Sequence, residues 1–154
     1  MADTKCNISK GQVVALHQRV ENGDPADARF YLIPISAGAV TDADLEDADT
    51  FAAMVTLGVT ERTANGWNRK TIAAADLNTP APDDTNNRFD VDITTDPTWT
   101  PTADAVTDLI LCYASVASPT NSQLQPIGVY DFPITPDGSL VTAQVNSAGY
   151  HRSS

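Results

Sequence analysis

Apolar and polar residues alternate with a period of two where Phe89, Val91 and Ile93 interleave with Arg88, Asp90 and Asp92. That alternation predicts a strand with one apolar and one wet face, and so an antiparallel sheet. Turn residues at Asp83–Asn87 precede it, and Asp96-Pro97 closes it. A helical period governs Val13, Leu16, His17 and Val20, which predicts an amphipathic helix over 9–22 with His17 at the edge of its stripe. Ser9 and Gln12 fit a capping box, with Ile8 and Val13 at the staple positions. Gly23 supplies the left-handed residue after Asn22, and Pro25 blocks continuation.

Further along, Arg29–Ser36 reads as a strand buried on both faces for part of its length. Pro34 puts that half at an edge or a bulge. Thr41–Leu57 reads as a second helix, with Leu45, Ala48, Ala52 and Val55 as its stripe and Gly58 after its end. Asn65-Gly66 predicts a turn, 67–72 a strand, 73–77 a helical turn and 78–84 a loop. Thr107–Ala114 is apolar on both faces and predicts a central strand. A polar loop over 115–125 follows, then a strand over 126–135 whose pairing Pro133 limits. Thr135-Pro136-Asp137-Gly138 is a turn. In 139–146, Val141, Ala143 and Val145 share one face.

Helices fall early and strands late, which argues α+β. The expected architecture is an antiparallel β-rich sandwich or curved sheet, with one N-terminal amphipathic helix and a second short helix. Residues 1–154 are expected to form one domain. Met1–Asn7 precedes the first helix and reads as an extended arm, and 147–154 as a polar tail.

Composition narrows the function. The chain of 154 residues carries a net charge of −11, which repels nucleic acid and anionic membranes. It has no apolar run long enough to span a bilayer and no apolar signal region near Met1, so a cytosolic product is expected. Cys6 and Cys112 lie far apart in sequence. Cys112 reads as a buried thiol, and a disulfide suits a cytosolic product poorly.

Candidate chemistry is sparse. Asp42, Asp44, Glu46, Asp47 and Asp49 offer hard oxygen ligands at short spacing, but Asp47 stands where an EF-hand loop needs glycine and Ala53 where it needs glutamate. A solvated acidic helix start accounts for them. Asp90 and Asp92 read as a wet strand face rather than an acid–base pair. His17 and His151 lack metal-ligand spacing. Neither a nucleophile elbow nor a phosphate-cradling loop is present. These residues point to no catalytic, cofactor or metal site, and to a non-enzymatic protein. Candidate interface residues are Lys5, Cys6 and Asn7 in the arm, with Trp67 and Tyr150 as aromatic anchors. Trp67 or Trp99 could also serve a carbohydrate-binding module.

Several segments carry a resemblance: Ser9-Lys-Gly-Gln-Val-Val, Arg19 to Pro25, Asp83 to Ile93, Leu109-Ile-Leu-Cys-Tyr113 and Tyr130 to Gly138. In these the chain resembles small virion structural proteins of tailed bacteriophages, over most of its length. The resemblance implies a structural protein of the virion, made in the host cytoplasm. A capsid decoration (cement) protein is the favoured role. Its partners would be the major capsid protein or other virion proteins, and it would form a homo-oligomer such as a trimer. A neck, tail-associated or receptor-binding protein is the alternative.

Overall fold

The computed structural model describes residues 3–145 and 149–153. The strands are β1 (Thr4–Lys5), β2 (Arg29–Ser36), β3 (Thr60–Glu61), β4 (Lys70–Ile72), β5 (Pro82–Asp83), β6 (Arg88–Val91), β7 (Thr98–Trp99), β8 (Val106–Ala114), β9 (Gln125–Ile134), β10 (Val141–Thr142) and β11 (His151–Ser153). The α-helices are α1 (Val13–Asn22), α2 (Asp42–Asp47) and α3 (Phe51–Leu57). The architecture is α+β, dominated by antiparallel sheet, as the segregated pattern predicts.

A six-stranded sheet in the order β1-β9-β8-β2-β3, with β4 also on β2, is the frame. Its middle is β8, paired to β2 from Arg29↔Ala114 to Ile35↔Asp108 and to β9 on its other side. Both β2 and β8 are buried on two faces because each face carries its own core. Phe30, Leu32, Leu109, Leu111 and Tyr113 pack with α1 and with Val91, Ile93, Trp67 and Trp99. Tyr31, Ile33, Ile35, Ile110 and Cys112 pack with Leu45, Phe51 and Met54 of α2 and α3. Pro34 lies opposite Leu109, in the gap between the stretches of β2 that pair with β4 and β3. The Arg62 N–H fills that gap by donating to the Pro34 carbonyl at 2.9 Å. Two smaller sheets, β10-β7 and β11-β6-β5, complete the α1 side.

Local expectations held in part. α1 ends as predicted, with Gly23 at φ 62° and the N–H groups of Gly23 and Asp24 returning to Val20 and Arg19. Its start differs. Ser9 closes a 3-10 turn over Asn7–Ser9, and its hydroxyl donates to the Pro126 carbonyl at 2.5 Å, so no side chain caps the helix. Burial of Ser9 against β9 outcompetes the capping box.

The predicted helix over 41–57 is two helices. Thr41 and Asp44 form a capping box for α2, and the Thr50 hydroxyl accepts the Ala53 N–H to start α3. A second N-cap inside the segment turns the chain, so the buried stripe becomes Leu45, Ala48, Phe51 and Met54, while Val55 is exposed. The strand predicted over 67–72 shortens to β4. That predicted over 139–146 shortens to β10, with Ala143 buried and Leu140 exposed; Asn146 lies outside the described residues.

The terminal segments are the largest corrections. The expected arm is folded onto its own chain: Thr4 and Lys5 pair with Val129 and Gly128, and the Cys6 N–H donates to the Ile127 carbonyl. In the expected tail, 151–153 pair with Val91, Asp90 and Phe89. Met1, Ala2, 147–148 and Ser154 of these two segments lie outside the described residues.

Candidate functional site

The site begins with the α1-side face of β8 and β9. Side chains alternate across a strand, so Leu109 and Leu111 share this face with Tyr130 and Phe132. Leu32 joins from β2 and Ile93 from the chain after β6. Opposite them run Ala143, Gln144 and Val145, then Gly149 and Tyr150. Lys5, Asp3 and Asp131 lie at one end. Together these residues enclose a cleft of about 460 Å³. Its deep walls are apolar, with Leu32, Leu109, Leu111 and Ile93 buried. Asp3, Asp131 and Gln144 are exposed and mark the mouth.

Polar groups in the cleft are few. The Lys5 ammonium donates to the Tyr150 carbonyl at 2.7 Å and stands 5.6 Å from the centre of the Tyr130 ring. Burial lowers the Lys5 pKa, and the nearby Asp3 carboxylate opposes that shift. The Tyr130 hydroxyl is buried and has no hydrogen-bond partner among the described residues. Burial drives its pKa well up, so it remains a neutral phenol.

Behind Tyr150 sits a partly buried polar cluster. The Nε2–H of His17 donates to the Asn78 carbonyl at 3.0 Å. A carbonyl can only accept, so Nδ1 is unprotonated and accepts the Tyr150 hydroxyl, also at 3.0 Å. His17 is fully buried, and that burial lowers its pKa. Sequence periodicity places His17 at the edge of the stripe; the structure moves it to the centre, because β11 and its flanking Tyr150 cover that side of α1. The Asn78 side chain carries the cluster onward, its carbonyl oxygen accepting the Asp92 N–H at 2.7 Å. Burial and the neighbouring Asp96 raise the Asp92 pKa. Asp90 faces Arg88, whose Nε lies 3.1 Å from both Asp90 and Asp83.

The candidate interface residues separate. Lys5 and Tyr150 meet at the cleft. Cys6 is buried, with its thiol against the Leu45 carbonyl at 3.7 Å, and burial pushes its pKa up to about 12. Asn7 is exposed and donates to Asp47 at 2.5 Å. Trp67 is 2% exposed, and its indole N–H donates to the Asp104 carbonyl at 2.8 Å. Trp99 is equally buried and packs 5.6 Å from Trp67. Neither tryptophan offers a platform for a sugar ring. Cys6 and Cys112 are free thiols. They lie on either side of β9, two strand spacings or roughly 10 Å apart, beyond the reach of a disulfide.

The acidic run at 42–49 forms helix caps and surface. Among the described residues no group of three His, Cys, Asp or Glu side chains could hold a metal ion. A smaller pocket of about 240 Å³ lies between Lys70–Ile72 and Thr95–Thr98. Its lining includes Lys70, whose ammonium rests over Trp99, and the carboxylates of Asp76 and Asp96.

Sequence reasoning missed the cleft. Tyr130 and Phe132 on one face of a strand were a legible signal, but the segment that covers them was not. No protein-family model, curated protein or solved structure matches the chain.

Proposed function

We propose that the protein is a non-enzymatic structural component of a tailed-phage virion, a decoration protein that binds the outside of the shell through protein–protein contacts. The resemblance of its segments to small phage virion proteins is the starting point. The structural observation that carries the reading is the surface of the α2–α3 side. There Val55 and Leu57 of α3 are 40% and 48% exposed, and Asp44, Asp47 and Asp49 in and after α2 are exposed as well. An exposed apolar pair on a chain of net charge −11 suits a partner surface that is apolar with basic groups.

The edge of the main sheet is consistent with attachment by faces. Beyond Val129, no strand pairs with the outer side of β9 among the described residues. Asp3 accepts the Asp131 N–H at 3.0 Å, Pro133 has no N–H, and the register shifts between Val106 and Asp108. These features blunt an edge against strand addition.

Quantitative mass spectrometry of purified particles tests the proposal. Copies in fixed, high ratio to the major shell protein support decoration. About a dozen copies or fewer would instead place the protein at the neck or tail, where closed rings of low copy number sit. Absence from particles overturns the virion reading.

A further inference from the structure

The chain has two histidines, and the fold brings both to one segment. Residues 149–153 carry Tyr150 and His151, and His17 lies beneath Tyr150. β11 is the outer strand of its small sheet and pairs with β6 alone among the described residues. Tyr150 adds three hydrogen bonds to that ladder. Its N–H donates to the Val91 carbonyl at 3.1 Å, its carbonyl accepts the Lys5 ammonium, and its hydroxyl donates to Nδ1 of His17. Gly149 and Tyr150 also form part of the cleft wall.

We propose that segment 149–153 is an acid-released latch: proton uptake by His17 and His151 lifts it from α1 and β6 while the main sheet stays folded, and so opens the cleft on that side.

The geometry makes both histidines sensitive. Nδ1 of His17 is an acceptor, and a ring protonated there can only donate. The Tyr150 hydroxyl then loses its acceptor, and a positive charge stands in a fully buried position. Burial lowers the His17 pKa; the Asn78 carbonyl, Glu21 on α1 and Asp92 after β6 oppose that shift without reversing it. Burial lowers the His151 pKa too, and the Lys5 ammonium on β1 adds to the shift. Release carries His151 into water and takes the Tyr150 cover off His17. The closed form's advantage is therefore whole above pH 6.5, the ordinary histidine value, and shrinks as the pH falls from there toward the closed-form values. A segment on one short ladder at a sheet edge has little to break in opening locally. This inference is independent of the virion proposal, because its test uses the isolated protein and reads only the segment.

Native-state amide exchange of the full chain, followed by NMR in urea below the unfolding transition, makes the test. Rates are expressed as protection, which removes the intrinsic pH dependence of exchange. Amides of Tyr150 and 151–153 should be less protected than those of Ile110 and Leu111 in β8, and should depend less on urea. Between about pH 7.5 and about pH 5.5, their protection should fall by about tenfold for each histidine that stays neutral when closed. His151→Gln should leave only the part due to His17. His17→Gln and His151→Gln together should reduce the fall to less than about twofold. His151→Gln keeps the hydrogen bond between Tyr150 and His17, so its comparison with the parent chain holds even where the double variant is open at both pH values. One protection and one urea dependence shared by the segment and β8 would mean that it opens only with the whole fold, and overturns the proposal. So does segment protection that is the same at both pH values, or a parental pH response in the double variant.

Discussion

The Tyr150 hydroxyl donates to Nδ1 of His17 across 133 residues of sequence, at 3.0 Å, and so ties the last described strand to the first helix. His17 is fully buried and Tyr150 partly so, with the Phe30 ring tilted against His17 at 6.4 Å and edge-on to Tyr150 at 6.0 Å. Removing the hydroxyl leaves a buried acceptor unpaired. Tyr150→Phe should cost about 1–3 kcal/mol, read as a lower urea midpoint with an unchanged slope. A cycle with His17→Gln should show coupling of about 0.5 kcal/mol or more.

The same histidine sets a pH dependence. Burial holds its pKa below the ordinary 6.5. Below 6.5, therefore, the unfolded chain takes up a proton that the folded chain refuses. The folded state's advantage is whole above pH 6.5 and shrinks as the pH falls from there to the folded-state value. His151 shifts in the same direction, again by burial. Thermal melts between about pH 8 and pH 5.5 should show a falling Tm in the wild type and a shallower fall in His17→Gln, which keeps the dependence of His151.

Gly149 lets the backbone before Tyr150 approach β6. Its φ is 80°, and a Cβ there would come within 2.3 Å of the Val91 carbonyl oxygen, the atom that accepts the Tyr150 N–H. Gly138, at φ 89°, has open space around it. Gly149→Ala should therefore cost well over the roughly 1–2 kcal/mol that left-handed strain alone brings to Gly138→Ala. Paired denaturation curves of the two variants check the difference.

The β9 edge gives a prediction about association. Asp3→Ala removes the acceptor of the Asp131 N–H, and Pro133→Thr adds an N–H. Together they should produce concentration-dependent self-association in sedimentation velocity, where the parent chain gives a smaller species at the same concentration. Identical sedimentation of the two would mean that the edge is protected by other means.

The thiols should be inert. Burial pushes Cys6 up to about 12 and Cys112 well above its ordinary value. A thiol reagent at about pH 8 finds almost no thiolate in the folded protein. Labelling should follow global unfolding, rising with urea in step with loss of structure. A rapid phase in native buffer would contradict the burial of both side chains.

Legibility in the sequence followed the range of the interactions. Asn22-Gly23 was readable because a helix stop is set by residues within one turn. Leu109-Ile-Leu-Cys-Tyr113 was readable because apolarity on both faces demands the middle of a covered sheet. Ser9 was misread because its hydroxyl had two partners available, the helix start and Pro126, and the distant one won. Thr50 was passed over because an apolar stripe runs through it, and only the packing of Phe51 and Met54 against Leu124 shows where the chain turns. The cleft was invisible for the same reason. Tyr130 and Lys5 come from paired strands, but Ile93, Val145 and Tyr150 reach it through pairings that no local pattern encodes.

Those long pairings bear on how the protein is made. β1 waits for Gly128 and Val129, β2 waits for β8, and His17 waits for Tyr150. On the ribosome, the first hundred or so residues would emerge with both sheet faces lacking the strand between them. The chain therefore folds late, after release of most of its length, and slowly for its size, as sheets built from distant strands do. A holdase that shields Phe30 to Ile35 in the interval should raise the yield, and its loss should send the nascent chain into aggregates.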